Sequence, residues 1–405
     1  MKRVVITGLG AVTPIGNDVK TMWESMKNGV CGIDIITKYD PSLTKAKVAA
    51  EVKDFDPTLY IEKREVRKMD LYCQYAMAAA VQAVEDSGII GKVDDTRLGV
   101  YIGSGVGGIQ TFYEQCNNMI NGKNVSPFFI PMMISNIASG NIAMRFKAKG
   151  PSLPVVTACA TSTNAIGEAF HAIKGGYADA IIAGGAEATI TPLAIMGFTS
   201  CKALTLSEDP KKASIPFDKN RSGFVMGEGS GVVILEEYEH AKARGAKIYA
   251  EIAGYGNTCD AYHITAPDPE ARGAANAVKL ALEEAGYTGE EELYINAHGT
   301  STPMNDSSET KAFKLALGDK AYKAHISSTK SMTGHMLGAT GAVEAIASAL
   351  ALDTGIIPPT IGYSEPDPEC DLDYTPNKAV EAPVTMAIST TFGFGGHNAC
   401  IALKK

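Results

Sequence analysis

The stretch at residues 155–173, VVTACATSTNAIGEAFHAI, carries a β-branched run directly into an amphipathic segment. Counting from Ile166, apolar residues recur at the i, i+3, i+4 and i+7 positions, which predicts the buried face of a helix over residues 162–174. The preceding run predicts a strand at residues 154–157. Because strands that pass into helices are the repeating unit of α/β proteins, this stretch indicates an α/β fold, with Cys159 in the turn between the two elements.

The rest of the chain shows the same alternation, in an order that occurs twice. In the first half we predict further strands at residues 4–8, 99–103, 180–183 and 231–236 and a helix at 71–87. In the second half we predict strands at 250–254, 293–297, 326–328, 385–390 and 399–403 and helices at 271–285 and 343–352. The repeated order predicts two similar α/β halves, residues 1–249 and 250–405, with parallel sheets that pack face to face.

The composition excludes several classes of protein. The 405 residues are 45% hydrophobic and 20% charged, and the net charge of -8 argues against general nucleic-acid binding. No stretch reaches about 20 uninterrupted apolar residues, so we expect no membrane span and take the cytoplasm as the default location. The eight cysteines are scattered, without a C-x-x-C pair or a histidine at metal-ligand spacing, so we expect neither a disulfide scaffold nor a zinc site.

The segment from about Gln110 to Lys149 has no counterpart in the second half. Its prolines and paired methionines indicate an irregular excursion, either over the mouth of an active site or into a subunit contact. A plain surface insertion is the alternative, and the sequence favours neither.

Cys159 is the first candidate functional residue. A thiol between a strand and a helix lies near the positive end of the helix dipole and near free N–H groups, which favour its thiolate. Nucleophiles also occupy such turns at the edge of a sheet. The alternative is a buried structural thiol, and this stretch alone leaves both open.

Two histidines in the second half occupy matching positions. His298 follows one predicted strand, and His335 lies between another strand and a helix. In parallel α/β sheets ligands bind at the carboxyl ends of strands, so both histidines and Cys159 are expected at one site. Lys330 adds a positive charge near His335, and we expect it to pair with Glu344, which lies in an otherwise apolar helix.

The glycine-rich stretch FGFGGHN, residues 392–398, lies between the last two predicted strands. Its backbone can approach a ligand closely, and one of its N–H groups can complete an oxyanion hole. A plain glycine hairpin is the alternative. Cys400 follows and could be a second catalytic thiol, but its place inside the final strand favours burial.

The motifs TACATS, NAHGTSTPMND, KSMTGH and FGFGGHN, in this order, resemble those of the elongating beta-ketoacyl-[acyl-carrier-protein] synthases, closest to the synthase II type of bacterial fatty-acid synthesis. The likeness runs the whole length of the chain. It implies a duplicated thiolase-type fold with a layered α-β-α-β-α architecture, a homodimer, and decarboxylative Claisen condensation of a Cys159-bound acyl chain with malonyl-[acyl-carrier-protein].

The resemblance also implies the role of each site residue. The catalytic triad would be Cys159, His298 and His335, with Lys330 and Glu344 in support. The N–H of Phe394, the gate, would share the oxyanion hole with that of Cys159. Thr300 and Thr302 would contact the pantetheine arm, and Val106 and Phe198 would line the acyl pocket. His397 stands where many relatives carry threonine.

The implied reaction needs no metal and no organic cofactor, because the phosphopantetheine belongs to the acyl carrier protein. An acidic carrier needs a local cationic surface, and Lys63, Arg64, Arg67 and Lys68 offer one, with the last three on one face of a predicted helix. A solvated helix face is the alternative. Two rival functions are a thiolase on coenzyme A esters, which requires a second catalytic cysteine, and a non-catalytic chain-length subunit, which needs no nucleophile.

Overall fold

The structure is a computed structural model that describes residues 2–405. Its strands are β1 (Val4–Val12), β2 (Asp34–Ile35), β3 (Val48–Ala49), β4 (Leu98–Gly103), β5 (Ala180–Glu187), β6 (Gly229–Glu237), β7 (Ala250–Cys259), β8 (Leu293–Asn296), β9 (His325–Ser327), β10 (Ile356–Ile357), β11 (Val380–Glu381), β12 (Met386–Gly393) and β13 (His397–Lys404).

The α-helices are α1 (Val19–Lys27), α2 (Lys63–Val66), α3 (Leu71–Ser87), α4 (Ile109–Ile120), α5 (Phe129–Met133), α6 (Ile137–Phe146), α7 (Thr161–Lys174), α8 (Pro192–Ser200), α9 (Pro210–Ala213), α10 (Tyr238–Ala243), α11 (Arg272–Ala285), α12 (Pro303–Leu317), α13 (Lys330–Thr333) and α14 (Thr340–Thr354). Matching single turns of 3-10 helix precede α7 and α14, at Ala158–Ala160 and Leu337–Ala339.

Nine of the strands form one sheet in the order β4-β5-β6-β1-β7-β13-β12-β8-β9. The two halves of the chain meet where three residues of β1 pair with β7. The order β4-β5-β6-β1 is repeated as β8-β12-β13-β7, and the strand directions also match. This repeat confirms the predicted duplicated α/β fold.

The strand directions correct one detail, because the sheet is mixed rather than parallel. Only the β4–β5, β8–β12 and β8–β9 pairs within it are parallel. Strands β12 and β13 are joined by three residues, and such a short connection permits only an antiparallel hairpin, since a parallel pair needs a crossover of a dozen or more residues.

The layers follow from which face of each strand packs on which helices. Helices α7 and α14 lie between the two halves of the sheet and share one apolar core with both. Helix α3 covers the outer face of the first half, while α11 and α12 cover that of the second. Ile181 faces the central core and Ile182 faces α3, as the two-residue period of a strand requires. The result is the expected α-β-α-β-α arrangement.

Glycines at matching positions of β1 and β7 allow the outer helices to pack closely against these strands. A Cβ atom on Gly10 of β1 would lie 1.9 Å from the carbonyl oxygen of Ala79 on α3. A Cβ atom on Gly256 of β7 would lie equally close, at 1.9 Å, to the carbonyl oxygen of Ala277 on α11. The duplication therefore extends to the contact between each outer helix and its strand.

Several local predictions were wrong. The predicted strand at residues 154–157 is absent from the structure, and the chain bridges to β4 only at Ser152. Pro154 cannot donate a ladder hydrogen bond, which explains why the pairing stops there. The segment at residues 110–149 is largely helical rather than irregular, because it holds most of α4 and all of α5 and α6. Pro131 is compatible with this, since it lies in the first turn of α5, where proline is tolerated.

The boundary between residues 249 and 250 stays a prediction, although β7, which carries the pairing to β1, begins at Ala250. Over residues 2–405, every helix is too short or too polar to span a lipid bilayer.

Candidate active site

Three of the residues predicted to be catalytic meet in one cavity between the two halves, while Lys330 and Glu344 are buried outside its lining. Its lining includes Cys159 from the first half and His298 and His335 from the second. The cysteine sulfur and one ring nitrogen of each histidine all lie within 4.8 Å of one another. One thiol and two imidazoles can therefore act on the same small group of substrate atoms.

Cys159 is presented by a tight backbone turn. It lies in the 3-10 turn before α7, and the residue before it, Ala158, has a φ of +50°. A positive φ on a residue with a side chain is strained and persists only where the surrounding structure enforces it. Gly393 packs against this turn, because a Cβ atom there would lie 2.8 Å from the carbonyl oxygen of Thr157. The turn of β12–β13 and the cysteine turn thus fix each other.

Two backbone N–H groups act to lower the pKa of the Cys159 thiol, those of Phe394 and of Cys159 itself. These are the two N–H groups that the resemblance assigns to an oxyanion hole. Burial nevertheless raises the pKa of the Cys159 thiol to about 12, although Lys330 and these N–H groups act to lower it. In the substrate-free protein the loss of hydration thus opposes the expected stabilisation of the thiolate, which stays a prediction.

The raised pKa predicts how the substrate-free thiol reacts. The rate of alkylation of Cys159 by iodoacetamide should rise steadily from about pH 7 to pH 10 without a plateau, because the thiolate is a small fraction throughout. The exposed thiols of Cys201 and Cys259 should react first at neutral pH. Peptide mapping after timed alkylation measures each site. The urea-unfolded chain is the control, in which Cys159 should level off near the ordinary thiol pKa of about 8.5. A plateau below pH 9 in the folded protein would contradict the prediction.

The two histidines are buried and uncharged. Their ring centroids are 5.2 Å apart and their planes are nearly perpendicular, at 87°. Burial lowers the pKa of each well below the usual value, and the charge of Lys330 lowers both further. His335 Nδ1 lies 3.2 Å from Thr340 Oγ1, while His335 Nε2 and His298 Nδ1 have no hydrogen-bond partner in the described part of the chain. Two neutral imidazoles are thus available to a ligand.

Glu309 on α12 is a site residue that the sequence did not reveal. Its two oxygens accept the N–H groups of His298 and Gly299, each at 2.7 Å. The Thr390 hydroxyl donates to the same carboxyl group at 2.8 Å. Burial raises the pKa of Glu309 to about 7. This side chain fixes the backbone that carries His298.

Lys330 and Glu344 form the predicted ion pair. The Lys330 Nζ–Glu344 Oε1 distance is 2.5 Å, and both side chains are buried. Burial raises the pKa of Glu344 to about 8, against the opposing effect of Lys330. Glu344 Oε2 has no partner among residues 2–405. Because Lys330 lowers the pKa of Cys159 and of both histidines, its charge acts on the whole catalytic group.

The remaining predicted residues divide into two groups. Thr300, Thr302, Phe198 and Phe394 all line the cavity. The two threonine hydroxyl oxygens are 3.0 Å apart, and the two phenyl centroids are 6.2 Å apart. Val106 is not in this lining; its side chain is 39% exposed, so its place in the acyl pocket stays a prediction.

Two residues near the end of the chain lie away from the reacting groups. His397 pairs with Gly393 at the start of β13. Cys400 is fully buried within β13 and is absent from the lining of the cavity. The predicted burial of Cys400 is therefore what the structure shows.

Cys159, His298 and His335 could also hold a metal ion, and no other such group occurs in residues 2–405. The charge of Lys330 opposes this, because it lowers the pKa of all three residues and so acts at the same place that a cation would occupy. The expected absence of a metal stays a prediction.

The predicted carrier-docking residues are all exposed, but they do not share a helix. Helix α2 ends at Val66, so Arg67 and Lys68 lie in the turn beyond it. The helix stops because Asp70 starts α3, where its carboxylate accepts the N–H of Tyr72. The side chains that stay exposed are Lys63, Arg64, Arg67 and Lys68.

Comparison with known proteins identifies the class to which this fold and site belong. Residues 1–241 match the family described as Beta-ketoacyl synthase, N-terminal domain, and residues 249–364 match Beta-ketoacyl synthase, C-terminal domain. The chain belongs to the beta-ketoacyl synthase family. It is an acyltransferase, and the resemblance found in the sequence is confirmed.

Individual relatives narrow the class. The 3-oxoacyl-[acyl-carrier-protein] synthase 2 of Synechocystis sp. is 52% identical over 100% of this chain and 98% of the relative. The solved ishigamide ketosynthase/chain length factor superposes with a TM-score of 0.94 at 36% identity, over 100% of this chain and 99% of the other. A ketosynthase solved in complex with a type II PKS acyl-carrier protein, in the AntDE:AntF structure, gives 0.92 at 34% identity, with the same coverage.

Proposed function

We propose that this chain transfers an acyl group to Cys159 and condenses it with malonyl-[acyl-carrier-protein] by decarboxylative Claisen condensation, which elongates fatty acids. The observation that carries the proposal is the close approach of the Cys159 sulfur to one nitrogen of His298 and of His335, all within 4.8 Å. The 52% identity to a 3-oxoacyl-[acyl-carrier-protein] synthase 2 over the whole chain supports the same reaction.

The first half-reaction is acyl transfer. The Cys159 sulfur attacks the carbonyl carbon of the acyl thioester, and the N–H groups of Cys159 and Phe394 stabilise the oxyanion. The bond to the pantetheine sulfur breaks, and the proton of Cys159 ends on the departing thiol. Because the resting thiol is neutral, the Lys330 charge, which lowers its pKa, lowers the barrier to this attack.

The second half-reaction is decarboxylation followed by carbon–carbon bond formation. Malonyl thioester loses carbon dioxide, and the enolate oxygen receives hydrogen bonds from the neutral rings of His298 and His335. The enolate carbon then attacks the acyl carbonyl, and the bond to Cys159 breaks. The released thiolate takes a proton from solvent, which restores the resting thiol.

The proposed reaction uses no metal and no organic cofactor of the enzyme. The phosphopantetheine arrives on an acyl carrier protein, and its arm would pass Thr300 and Thr302 on the wall of the cavity. A ketosynthase of similar fold has been solved in complex with an acyl-carrier protein, which supports such a partner here.

Intact-protein mass spectrometry tests the proposal. The protein is mixed with acyl-[acyl-carrier-protein] thioesters of increasing chain length, and then malonyl-[acyl-carrier-protein] is added. We expect a mass increase equal to one acyl group at Cys159, which disappears as the elongated 3-oxoacyl carrier forms. Acylation by coenzyme A esters alone, with no use of malonyl carrier, would instead support a thiolase.

The thiolase alternative requires a second catalytic cysteine beside the first. Cys400 is buried in β13, and the other cysteine in the cavity lining, Cys201, is exposed. Neither belongs to the group formed by the sulfur of Cys159 and the two ring nitrogens. The chain-length-subunit alternative is disfavoured because Cys159 is present and reachable from the cavity.

The docking of the carrier gives a separate prediction. Replacing both Arg67 and Lys68 with glutamate should raise KM for malonyl-[acyl-carrier-protein] about tenfold or more at low salt and weaken its salt dependence, because steering of an acidic partner is lost. The kcat should change little. The matched control is Lys279→Glu with Lys323→Glu, which makes the same change in net charge at two exposed lysines of the second half. Equal KM values in the two double variants would place the docking surface elsewhere.

We also infer a homodimer, and exposed apolar side chains near the edge of the sheet support it. They cluster on or beside α4, α5 and α6 and next to Ser152, and they are Phe112, Met119, Ile120, Val125, Phe128, Ile130, Met144, Leu153 and Val156. A patch of this kind is typical of a protein–protein interface. Analytical ultracentrifugation measures the oligomeric state directly. The cytoplasmic location stays a prediction.

A further inference from the structure

Glu187, the last residue of β5, is a buried carboxylate beside the catalytic group with no assigned role in the reaction above. Four donors surround it. Its Oε1 atom accepts the Ser104 hydroxyl at 2.7 Å and the N–H of Val106 at 3.2 Å. Its Oε2 atom accepts the N–H of Gly105 at 2.8 Å and that of Gly338 at 3.0 Å.

These donors come from both halves of the protein. Ser104, Gly105 and Val106 form the loop that follows β4 in the first half. Gly338 lies in the 3-10 turn of the second half, three residues beyond His335 and just before α14. One side chain therefore joins the loop of Val106 to the turn beside a catalytic histidine.

The backbone of Gly105, the backbone of Gly338 and the Glu187 carboxylate are in close contact. A Cβ atom on Gly338 would lie 2.5 Å from the Gly105 nitrogen and 2.9 Å from Glu187 Oε2. A Cβ atom on Gly105 would lie 2.8 Å from the same carboxylate oxygen. Movement of either backbone segment must displace the carboxylate, and through it the other segment.

The charge of Glu187 also acts on the nucleophile. Among residues 2–405, no lysine, arginine or histidine lies within 4.0 Å of Glu187 as an ion-pair partner. Burial raises the pKa of Glu187 to about 7. Its negative charge raises the pKa of Cys159, against Lys330, which lowers it. The rings of His298 and His335, which also face Cys159, are neutral.

We propose that Glu187 is a positioning residue for the condensation, which holds the turn beside His335 and the loop of Val106 in one arrangement, and that its negative charge opposes the charge of Lys330 at Cys159. The inference rests on the proposed function for its first part only. The second part concerns the free protein and can be measured without any substrate.

Two substitutions at Glu187 separate position from charge. Glu187→Gln keeps the size but removes the charge and turns an amide NH₂ toward N–H donors, so condensation should fall about tenfold or more. Its Cys159 should nevertheless be alkylated about two- to tenfold faster between pH 8 and pH 9, where Glu187 is ionised, because loss of this negative charge lowers the pKa of the thiol and leaves more thiolate. Glu187→Asp keeps the charge but is one methylene shorter, so condensation should fall while alkylation stays within about twofold of the unchanged protein.

The matched control is Glu236→Gln. Glu236 is also a buried carboxylate, and it lies in the same pair of strands, β5 and β6. It pairs with Ala180 at one end, whereas Glu187 pairs with Gly229 at the other. This variant should lose thermal stability, because Arg244 loses a charged partner, but condensation and alkylation should each stay within about twofold.

Each outcome decides the proposal. A purely structural role would lower condensation and alkylation together in Glu187→Gln, and that result overturns the assignment of the charge. Unchanged condensation in both Glu187 variants overturns the positioning role. If Glu187→Gln does not fold, Glu187→Asp still decides the positioning role. If the unchanged protein failed to condense any acyl-[acyl-carrier-protein] with malonyl-[acyl-carrier-protein], the proposed function would be refuted instead. The alkylation rates would still test the effect of the Glu187 charge.

Discussion

Cys159→Ala should abolish condensation and still release carbon dioxide slowly from malonyl-[acyl-carrier-protein]. The substitution removes the acyl acceptor but leaves both imidazoles, because Glu309 holds the backbone of His298 and Thr340 contacts the ring of His335, all within the second half. The rate of acyl transfer should fall below detection, because no other thiol belongs to the catalytic group. Decarboxylation needs only the enolate donors, so it should remain measurable.

The His335→Ala variant should behave in the opposite way. It loses one of two donors to the enolate, which typically costs about a hundred- to a thousandfold in rate. Its thiol and the N–H groups of Cys159 and Phe394 remain, so it should still take up one acyl group. His298→Ala should resemble it, with some loss of acylation if His298 also orients the incoming thioester.

Carbon dioxide release and acyl-enzyme mass, measured on each variant, test this division of roles. Cys201→Ala is the matched control, since it removes the other thiol in the cavity lining and should change neither quantity more than about twofold. Normal decarboxylation without acylation in His335→Ala would make His335 the base for Cys159 and would refute the assignment.

Lys330→Met should have the second largest effect, on both stability and activity. Breaking a buried ion pair by removal of one partner typically costs about 3–5 kcal/mol. Part of this cost can be avoided at low pH, because burial already raises the pKa of Glu344 to about 8 and favours its protonated form. A buried carboxyl group whose pKa is raised in the folded state lowers the free energy of unfolding progressively as pH rises above its pKa in the unfolded chain, about 4.5. The variant should therefore be less destabilised at pH 6 than at pH 9.

A double variant separates stability from catalysis. Lys330→Met with Glu344→Met replaces both charges by apolar side chains of similar size, so most of the free energy of unfolding should return. The rate of condensation should remain at least about a hundredfold below that of the unchanged protein, because the charge that lowers the pKa of Cys159 is still missing.

Urea unfolding and kcat, measured on the single and double variants, check both statements. Lys38→Met is the matched control, because the Lys38–Glu228 pair has the same 2.5 Å distance and a buried carboxylate but lies outside the cavity lining. It should destabilise the protein and leave kcat within severalfold. Recovery of full activity in the double variant would show that Lys330 acts only through the fold.

The duplicated fold and the three reacting residues could be predicted because each signal is local. Apolar periodicity marks α7 and α14, and the breaks in it mark the turns that carry Cys159 and His335. Helix α12 was not predicted, because part of its buried face is polar. Asp306, Glu309 and Thr310 are all buried there, so the apolar pattern is interrupted where the helix meets the site.

The protonation state of Cys159 was beyond prediction for a different reason. The helix that follows it is visible in the sequence, and its dipole favours the thiolate. The burial that reverses this effect comes from apolar residues far away along the chain, including Phe198 and Leu337, which share one core cluster with Cys159. Electrostatics of this kind depend on tertiary packing, which no local pattern encodes.

The matching 3-10 turns before α7 and α14 differ in the space that each leaves for a side chain. Ala158 and Leu337 keep the same left-handed backbone, with φ of +50° and +44°, as expected of two copies of one unit. The position of Cys159 in the first turn is occupied by Gly338 in the second. A Cβ atom on Gly338 would lie 2.5 Å from the backbone nitrogen of Gly105. Any side chain at Gly338 would collide with the sister copy. Of the two matching turns, only the one that carries Cys159 has room for a nucleophilic side chain.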